Sequence, residues 1–264
     1  MELSGFQLRQ MNDKDISAGM RLKGLAGWNQ VEADWEGFLE VEPSGCFTGE
    51  LDGKVVATGT AFSYANRFGW IGMILVDPEY RRRGIATRLM ERAISYLDST
   101  GCFCQKLDAT EAGTQVYSRM GFQTEYQVER WLLNRAEFNQ PPTPDSTEII
   151  FVSKQHLQAL EDLDGMAFGA FRKRLLARYL KKGRFSFAYG DPTAPEGFAL
   201  GRPGQNAYQV GPLVAKSPEI ARSLLQAALV ATAGTPVIVD IPVANPHITR
   251  MLEDFGFERK RRLN

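Results

Sequence analysis

The stretch Ile71-Gly72-Met73-Ile74-Leu75-Val76-Asp77-Pro78-Glu79-Tyr80-Arg81-Arg82-Arg83-Gly84-Ile85-Ala86 reads as a strand, a turn, an arginine-rich loop and a helix start. Apolar residues dominate Trp70–Val76, and Asp77-Pro78 ends the strand because proline brings no backbone donor to a ladder. Across residues 84–97 apolar side chains recur at 85, 86, 89, 90, 93, 94 and 97. That stripe predicts a helix laid against a core. The junction has the chemistry of an anion cradle. A helix N-terminus leaves several N–H groups without partners and carries partial positive charge. Gly84 lets the backbone approach a ligand, Ala86 keeps the helix entrance open, and Arg81, Arg82 and Arg83 add charge-assisted donors. Phosphates bind such places; the plainer alternative is a solvated basic turn before an ordinary helix.

Outward from this stretch, Lys54–Ala61 predicts a second strand, Cys102–Leu107 a short buried one, and Thr114–Met120 a short helix ended by Gly121. Phe122–Leu133 reads as extended. Strands alternating with helices imply an α/β or α+β layered domain. The alternation Cys102-Phe103-Cys104 places both thiols on one strand face and favours a buried-core role over a redox one.

The second half repeats these signals. The stripe Ala86, Leu89, Met90, Ala93, Ile94 returns 135 positions later as Ala221, Leu224, Leu225, Ala228, Leu229. Met120-Gly121-Phe122 and Phe255-Gly256-Phe257 share that offset, so the chain reads as a duplication. Ser217 and Pro218 suit the start of the second copy of the helix, and Gly234 suits its end. Val237–Ile241 predicts a strand, and a last helix runs from Asn245-Pro246 to Gly256. Between the halves, Asn139–Thr147 holds three prolines in four positions and reads as a linker. The expected domains are therefore 1–138 and 148–264, joined by 139–147.

Composition narrows the function. The 264 residues carry 31 Lys+Arg against 31 Asp+Glu, a balance that argues against a dedicated nucleic-acid binder. With 44% hydrophobic and 23% charged residues the chain has an ordinary globular composition. No apolar run approaches the ~20 residues of a membrane span, and Met1–Gly5 shows no signal-peptide pattern. Three cysteines without a CxxC fit reduced thiols, hence a cytoplasmic location. The two histidines, His156 and His247, lack partners at metal-ligand spacing, so no metal is expected. No GxxxxGK[ST] occurs, which argues against a P-loop hydrolase.

The pattern Arg81-x-x-Gly84-x-Ala86 after a strand ending Leu75-Val76-Asp77-Pro78 resembles motif A of the GCN5-related N-acetyltransferase (GNAT) superfamily, with Ala86 in place of the commoner second glycine. Tyr117-Ser118-Arg119-Met120-Gly121-Phe122 resembles the superfamily's Tyr-x-x-x-Gly-Phe segment. Leu107–Gly113, and Gly27-Trp28-Asn29-Gln30 with Asp34-Trp35, match further stretches. Together they resemble the tandem GNAT type, whose C-terminal half is a degenerate copy. The resemblance implies two mixed, splayed sheets flanked by helices, and acetyl-CoA as co-substrate. Ile74, Leu75 and Val76 would pair with the pantetheine arm, and the loop and helix start Arg81, Arg82, Arg83, Gly84, Ile85, Ala86 and Thr87 would hold the pyrophosphate. A backbone N–H at a bulge near Ile74–Val76 would stabilise the oxyanion.

By the same resemblance Tyr117 would protonate the departing thiolate or hydrogen-bond it, and Trp28, Asn29 and Gln30 would line the acceptor site. On spacing alone Tyr117 is equally an aromatic on a short helix, and Trp28 a core residue. Asp34, Glu36, Asp108 and Glu111 are candidate bases, none singled out. In the second half Leu252 takes the place of Tyr117 and Glu219 that of Gly84, so this half is not expected to bind CoA in the usual way. The implied activity is N-acetylation of a small-molecule amine or an amino acid by a monomer or homodimer, with neither nucleic acid nor membrane as partner. Acetylation of a protein or peptide, and acyl-CoA sensing without turnover, are the alternatives.

Overall fold

The computed structural model describes residues 4–134, 148–243 and 246–264. The expected linker 139–147 lies outside them, as does Asn245. The chain forms two compact units, Met1–Leu107 and Asp108–Asn264.

The first unit contains β1 (Phe6–Gln10), α1 (Ile16–Leu25), α2 (Glu32–Val41), β2 (Cys46–Leu51), β3 (Lys54–Tyr64), β4 (Phe68–Val76), α3 (Ile85–Ser99) and β5 (Gln105–Leu107). Its sheet has the order β1-β2-β3-β4-β5, antiparallel except for the β4–β5 pair, which α3 connects as a crossover. The predicted stripe faces the sheet: Ile85, Leu89, Met90, Ala93 and Leu97 are buried. A side chain at Gly59 would press on Ile74 and Leu89, so α3 lies close over β3 and β4. The opposite face carries the α1–α2 layer, where Met11, Ile16, Leu22 and Trp35 pack with Cys46, Met73 and Leu75.

The second unit contains α4 (Glu111–Ser118), β6 (Val128–Leu133), β7 (Ile149–Phe151), α5 (Leu157–Phe168), α6 (Lys173–Lys182), β8 (Phe185–Tyr189), β9 (Gly197–Arg202), β10 (Tyr208–Ala215), α7 (Pro218–Ala231), β11 (Val237–Pro242), α8 (Pro246–Asp254) and β12 (Glu258–Leu263). Its sheet runs β12-β6-β11-β10-β9-β8-β7, with β10 and β11 parallel. One face packs against α7 through Leu224, Leu225 and Ala228. The other packs against α5 and α6 through Leu160, Leu163 and Leu176.

The repeat in the sequence and the division in the fold fall at different places. β6 belongs to the first repeat, yet it pairs with β11 and β12 inside the second sheet. Sequence shows that a strand is extended, not which strands flank it.

Glu129 on β6 fixes this insertion. Its buried carboxylate accepts from Arg259 Nη1 at 2.9 Å, Arg262 Nη2 at 2.6 Å and Trp131 Nε1 at 3.3 Å. Burial alone would raise its pKa, but the Arg262 and Arg259 hydrogen bonds outweigh it and hold the carboxyl below its ordinary value. Such a group stabilises the fold above the unfolded-state value and loses that contribution as pH falls through the lower folded value. Glu129→Gln is expected to cost about 1–2 kcal/mol at pH 7. Both arginines are about half exposed and regain water when released. Calorimetry should show the difference from wild type at pH 7 and its shrinkage below about pH 4.

Local details differ from expectation. The strand predicted over Cys102–Leu107 is confined to Gln105–Leu107. Cys102 is buried but Cys104 is exposed, so the two thiols do not share a core face. The extended stretch expected from Phe122 begins only at Val128.

Candidate active site

The parallel pairing of β4 with β5 covers only Gly69–Ile71 against Gln105–Leu107. From Gly72 onward β4 runs on without β5 beside it, which opens the splayed edge that the family resemblance implied. In the same segment β4 is bulged. Thr58 pairs with Leu75 and Thr60 with Gly72, so Met73 and Ile74 together oppose Gly59. Met73 takes φ +52°, and its carbonyl accepts from Thr58 Oγ1 at 3.0 Å. A bulge releases backbone groups from the ladder. Here it falls at Met73–Ile74, at the start of the 74–76 segment expected to pair with the pantetheine arm. Leu75 is buried, and Ile74 and Val76 are half-buried.

After Val76 the chain turns sharply. Asp77 caps the 3-10 turn Pro78–Tyr80 by accepting from Glu79 N at 3.2 Å. Its other oxygen accepts from Arg21 Nη1 at 2.6 Å. Burial opposes ionisation of Asp77, but the Arg21 bond and the Glu79 amide prevail and hold its carboxyl below the usual range. The arginines that follow are not equivalent. Arg81 Nε donates to Val76 O at 3.0 Å and Arg83 Nη2 to Glu79 O at 3.2 Å, so both guanidiniums brace the loop. Arg82 is exposed at φ +60° and makes no hydrogen bond or ion pair among the described residues.

Gly84 is the N-cap of α3 at φ +77°, and no side chain caps the helix. A Cβ at Gly84 would meet nothing within 4 Å, so the approach to the amides of Ile85, Ala86 and Thr87 is open. The matching helix of the second unit is closed by its own side chains. Ser217 Oγ accepts from Ile220 N at 3.3 Å, and Glu219 occupies the first turn of α7. The Ser217 hydrogen bond and a backbone amide lower the pKa of Glu219. The bulge of β10 also differs: Gly211 and Pro212 oppose Leu200, and Pro212 has no N–H to offer. The first unit therefore fits a phosphate-bearing ligand, and the second lacks both the open helix end and one amide of the bulge.

The residues expected to line the acceptor side, Trp28, Asn29 and Gln30, lie on the connection between α1 and α2. Trp28 packs half-buried against the cluster that includes Met73 and Leu75. Asn29 is buried, and Gln30 is half-buried with Oε1 shielded from solvent and unpaired. Tyr117 lies on α4, in the second unit, with its ring 6.3 Å from that of Phe122 and its pKa raised by burial. Among the candidate bases, Asp34, in the first turn of α2, reaches back to accept from the amide of the N-cap residue Val31 at 2.8 Å. Glu36, Asp108 and Glu111 are exposed. Sequence reasoning missed Arg21 and Thr58, since neither lies in a recognisable motif.

Two family models match the chain, one described as an acetyltransferase (GNAT) family over residues 20–122 and one as an acetyltransferase (GNAT) domain over 160–263. The chain carries two GNAT domains in tandem. The first match includes both the cradle and Tyr117, although the compact units divide between them. The N-acetyltransferase YitH of Bacillus subtilis, itself uncharacterized, is 26% identical over 96% of this chain and 88% of that protein. The holothin acyltransferase of a Pseudoalteromonas species is 25% identical over 88% of this chain and 77% of that protein. Among solved structures, one from Pyrococcus horikoshii classed as an acetyltransferase aligns with TM-score 0.82 at 25% identity, covering 100% of this chain and 89% of that one. A tandem GNAT protein from the clavulanic acid pathway aligns with TM-score 0.69 at 15% identity, over 98% and 96% of the two chains, and shares the fold. The GNAT protein described here is an acyltransferase. No helix among its described residues is long and apolar enough to cross a membrane.

Proposed function

We propose that this GNAT protein transfers an acetyl group from acetyl-CoA to the amine of a small molecule or amino acid, by direct attack within a ternary complex. The observation that carries the reading is the uncapped N-terminus of α3 following the bulge of β4, set against the self-capped α7. In this reading the amides of Ile85, Ala86 and Thr87, with Arg82 beside them, hold the pyrophosphate, and the edge Ile74–Val76 holds the pantetheine arm. The amine must lose its proton before it attacks the thioester carbonyl. An amide released at the bulge stabilises the oxyanion that forms. Collapse breaks the C–S bond, and Tyr117, within the matched Tyr-x-x-x-Gly-Phe segment, supplies the proton to the leaving thiolate. Trp28, Asn29 and Gln30 line the acceptor side. The name of the Pseudoalteromonas relative supports a small-molecule acceptor.

The test is release of free CoA thiol from acetyl-CoA across a panel of amino acids, polyamines and aryl amines, with peptides as the comparison. Turnover well above hydrolysis with a small amine is expected. Acetylation of peptides alone would replace the small-molecule reading, and binding without turnover on any amine would leave a sensor.

A further inference from the structure

Arg21 and Asp77 lie outside every residue assigned above to ligand or acceptor, yet their pairing is the strongest anchor of the turn that starts the cradle. Asp77 is 4% exposed. Its N–H donates to Val56 O at 2.9 Å, one oxygen caps Glu79 N, and the other takes Arg21 Nη1 at 2.6 Å. Arg21 reaches from α1 and also donates Nη2 to Val55 O at 2.8 Å, so one guanidinium spans α1, β3 and the turn. Lys54 adds a second cation 4.0 Å from Asp77 and lies 5.3 Å from the centre of the Tyr80 ring. Arg83 lies 5.4 Å from the centre of the same ring. The brackets made by Arg81 and Arg83 close back on Val76 and Glu79, within the strand end and the turn. The Arg21 and Lys54 contacts tie the turn to the rest of the unit.

We infer that the Arg21–Asp77 pair is a positioning device for the cofactor loop: it fixes the turn leading to Gly84 and keeps the Asp77 carboxylate from drawing in the loop's own arginines. The inference rests on the reading of this loop as the acetyl-CoA site. Its physical content is a charge balance. A buried carboxylate four positions before the first of three successive arginines competes with a phosphate for them unless another cation satisfies it. Arg21 supplies that cation with two bonds in a fixed fork, which lysine cannot reproduce. The Asp77 charge is then spent on α1, and Arg82, the arginine of the loop that makes no hydrogen bond or ion pair among the described residues, remains available to the ligand.

The experiment is calorimetric titration with CoA, which needs no acceptor, alongside the melting temperature of each unliganded variant. Arg21→Gln is expected to weaken CoA binding about tenfold to a hundredfold, the range of a lost charged hydrogen bond. Arg21→Lys should fall between it and wild type. The diagnostic variant is Arg21→Gln with Asp77→Asn. Removing the stranded carboxylate should make this double variant bind CoA more tightly than Arg21→Gln alone, although it has lost more native bonds. Lower melting temperatures with unchanged CoA affinity would mean a purely structural pair and overturn the inference, as would additive losses in the double variant. If wild type itself takes up no CoA, the assignment of the loop fails and this inference with it. Wild-type binding with all variants equal to it sinks only the inference.

Discussion

Gly84→Glu is expected to abolish acetyl-CoA binding. Wild type should take up one equivalent per chain in calorimetric titration, and the variant none at millimolar ligand. Two effects act in the same direction. Gly84 sits at φ +77°, where a side chain costs about 1–2 kcal/mol. The introduced carboxylate then lies at the open end of α3, on amides that would otherwise meet phosphate. In α7, whose N-cap is Ser217 rather than a glycine, a carboxylate already stands in the first turn at Glu219. One equivalent rather than two is expected because that second helix end is closed and Pro212 removes an amide from the bulge beside it. In thermal unfolding, ligand at 100 times its Kd should stabilise wild type by about 2.7 kcal/mol and leave the variant unmoved. Gly84→Ala separates the two effects, since its Cβ meets no atom within 4 Å and carries no charge. It should bind with a loss of about tenfold, the equivalent of the backbone strain alone. A Glu variant that binds as wild type does would remove the phosphate from this helix end.

Much of this site was legible because its chemistry is local. The strand end, the proline turn, the arginines, the glycine and the apolar stripe of α3 lie within one continuous stretch, and each has a short-range physical signature. The self-closure of α7 was legible for the same reason, from Ser217, Pro218 and Glu219. The bulge was foreseen only through the family resemblance; its cause, Met73 at positive φ with its carbonyl held by Thr58, is a contact across strands. What sequence could not give is pairing over distance. Arg21 lies 56 positions from Asp77, and no periodicity links them. β6 reads as an extended segment of the first repeat, and its place shows only in its pairing with β11 and β12 and in Glu129 meeting Arg259 and Arg262, 130 and 133 positions away. Cys104 failed for a simpler reason: alternation predicts a shared face only where a strand exists, and β5 begins one residue later.

Tyr117→Phe is expected to lower kcat by about a hundredfold or more while leaving the KM for acetyl-CoA nearly unchanged, the mark of a group that acts only as the leaving thiolate forms. The substitution is conservative in packing. The ring contact with Phe122 and the bond from Phe122 N to the carbonyl of residue 117 do not involve the hydroxyl, so the melting temperature should hold. The pH profile discriminates further. Burial raises the Tyr117 pKa above its ordinary value of 10.0, so the phenol keeps its proton throughout the range where an amine becomes free to attack. The alkaline limb of wild-type activity should therefore not arise from Tyr117, and the ratio of wild-type to Phe-variant rates should stay level from pH 6 to 9.5. A ratio that collapses toward one at high pH would mean that the Tyr117 phenol loses its proton within that range, against the upward shift that burial gives it. An unchanged kcat would return Tyr117 to the role its half-buried ring suggests, an aromatic that holds α4 in place, and would shift the search for the acid to water held near the bulge of β4.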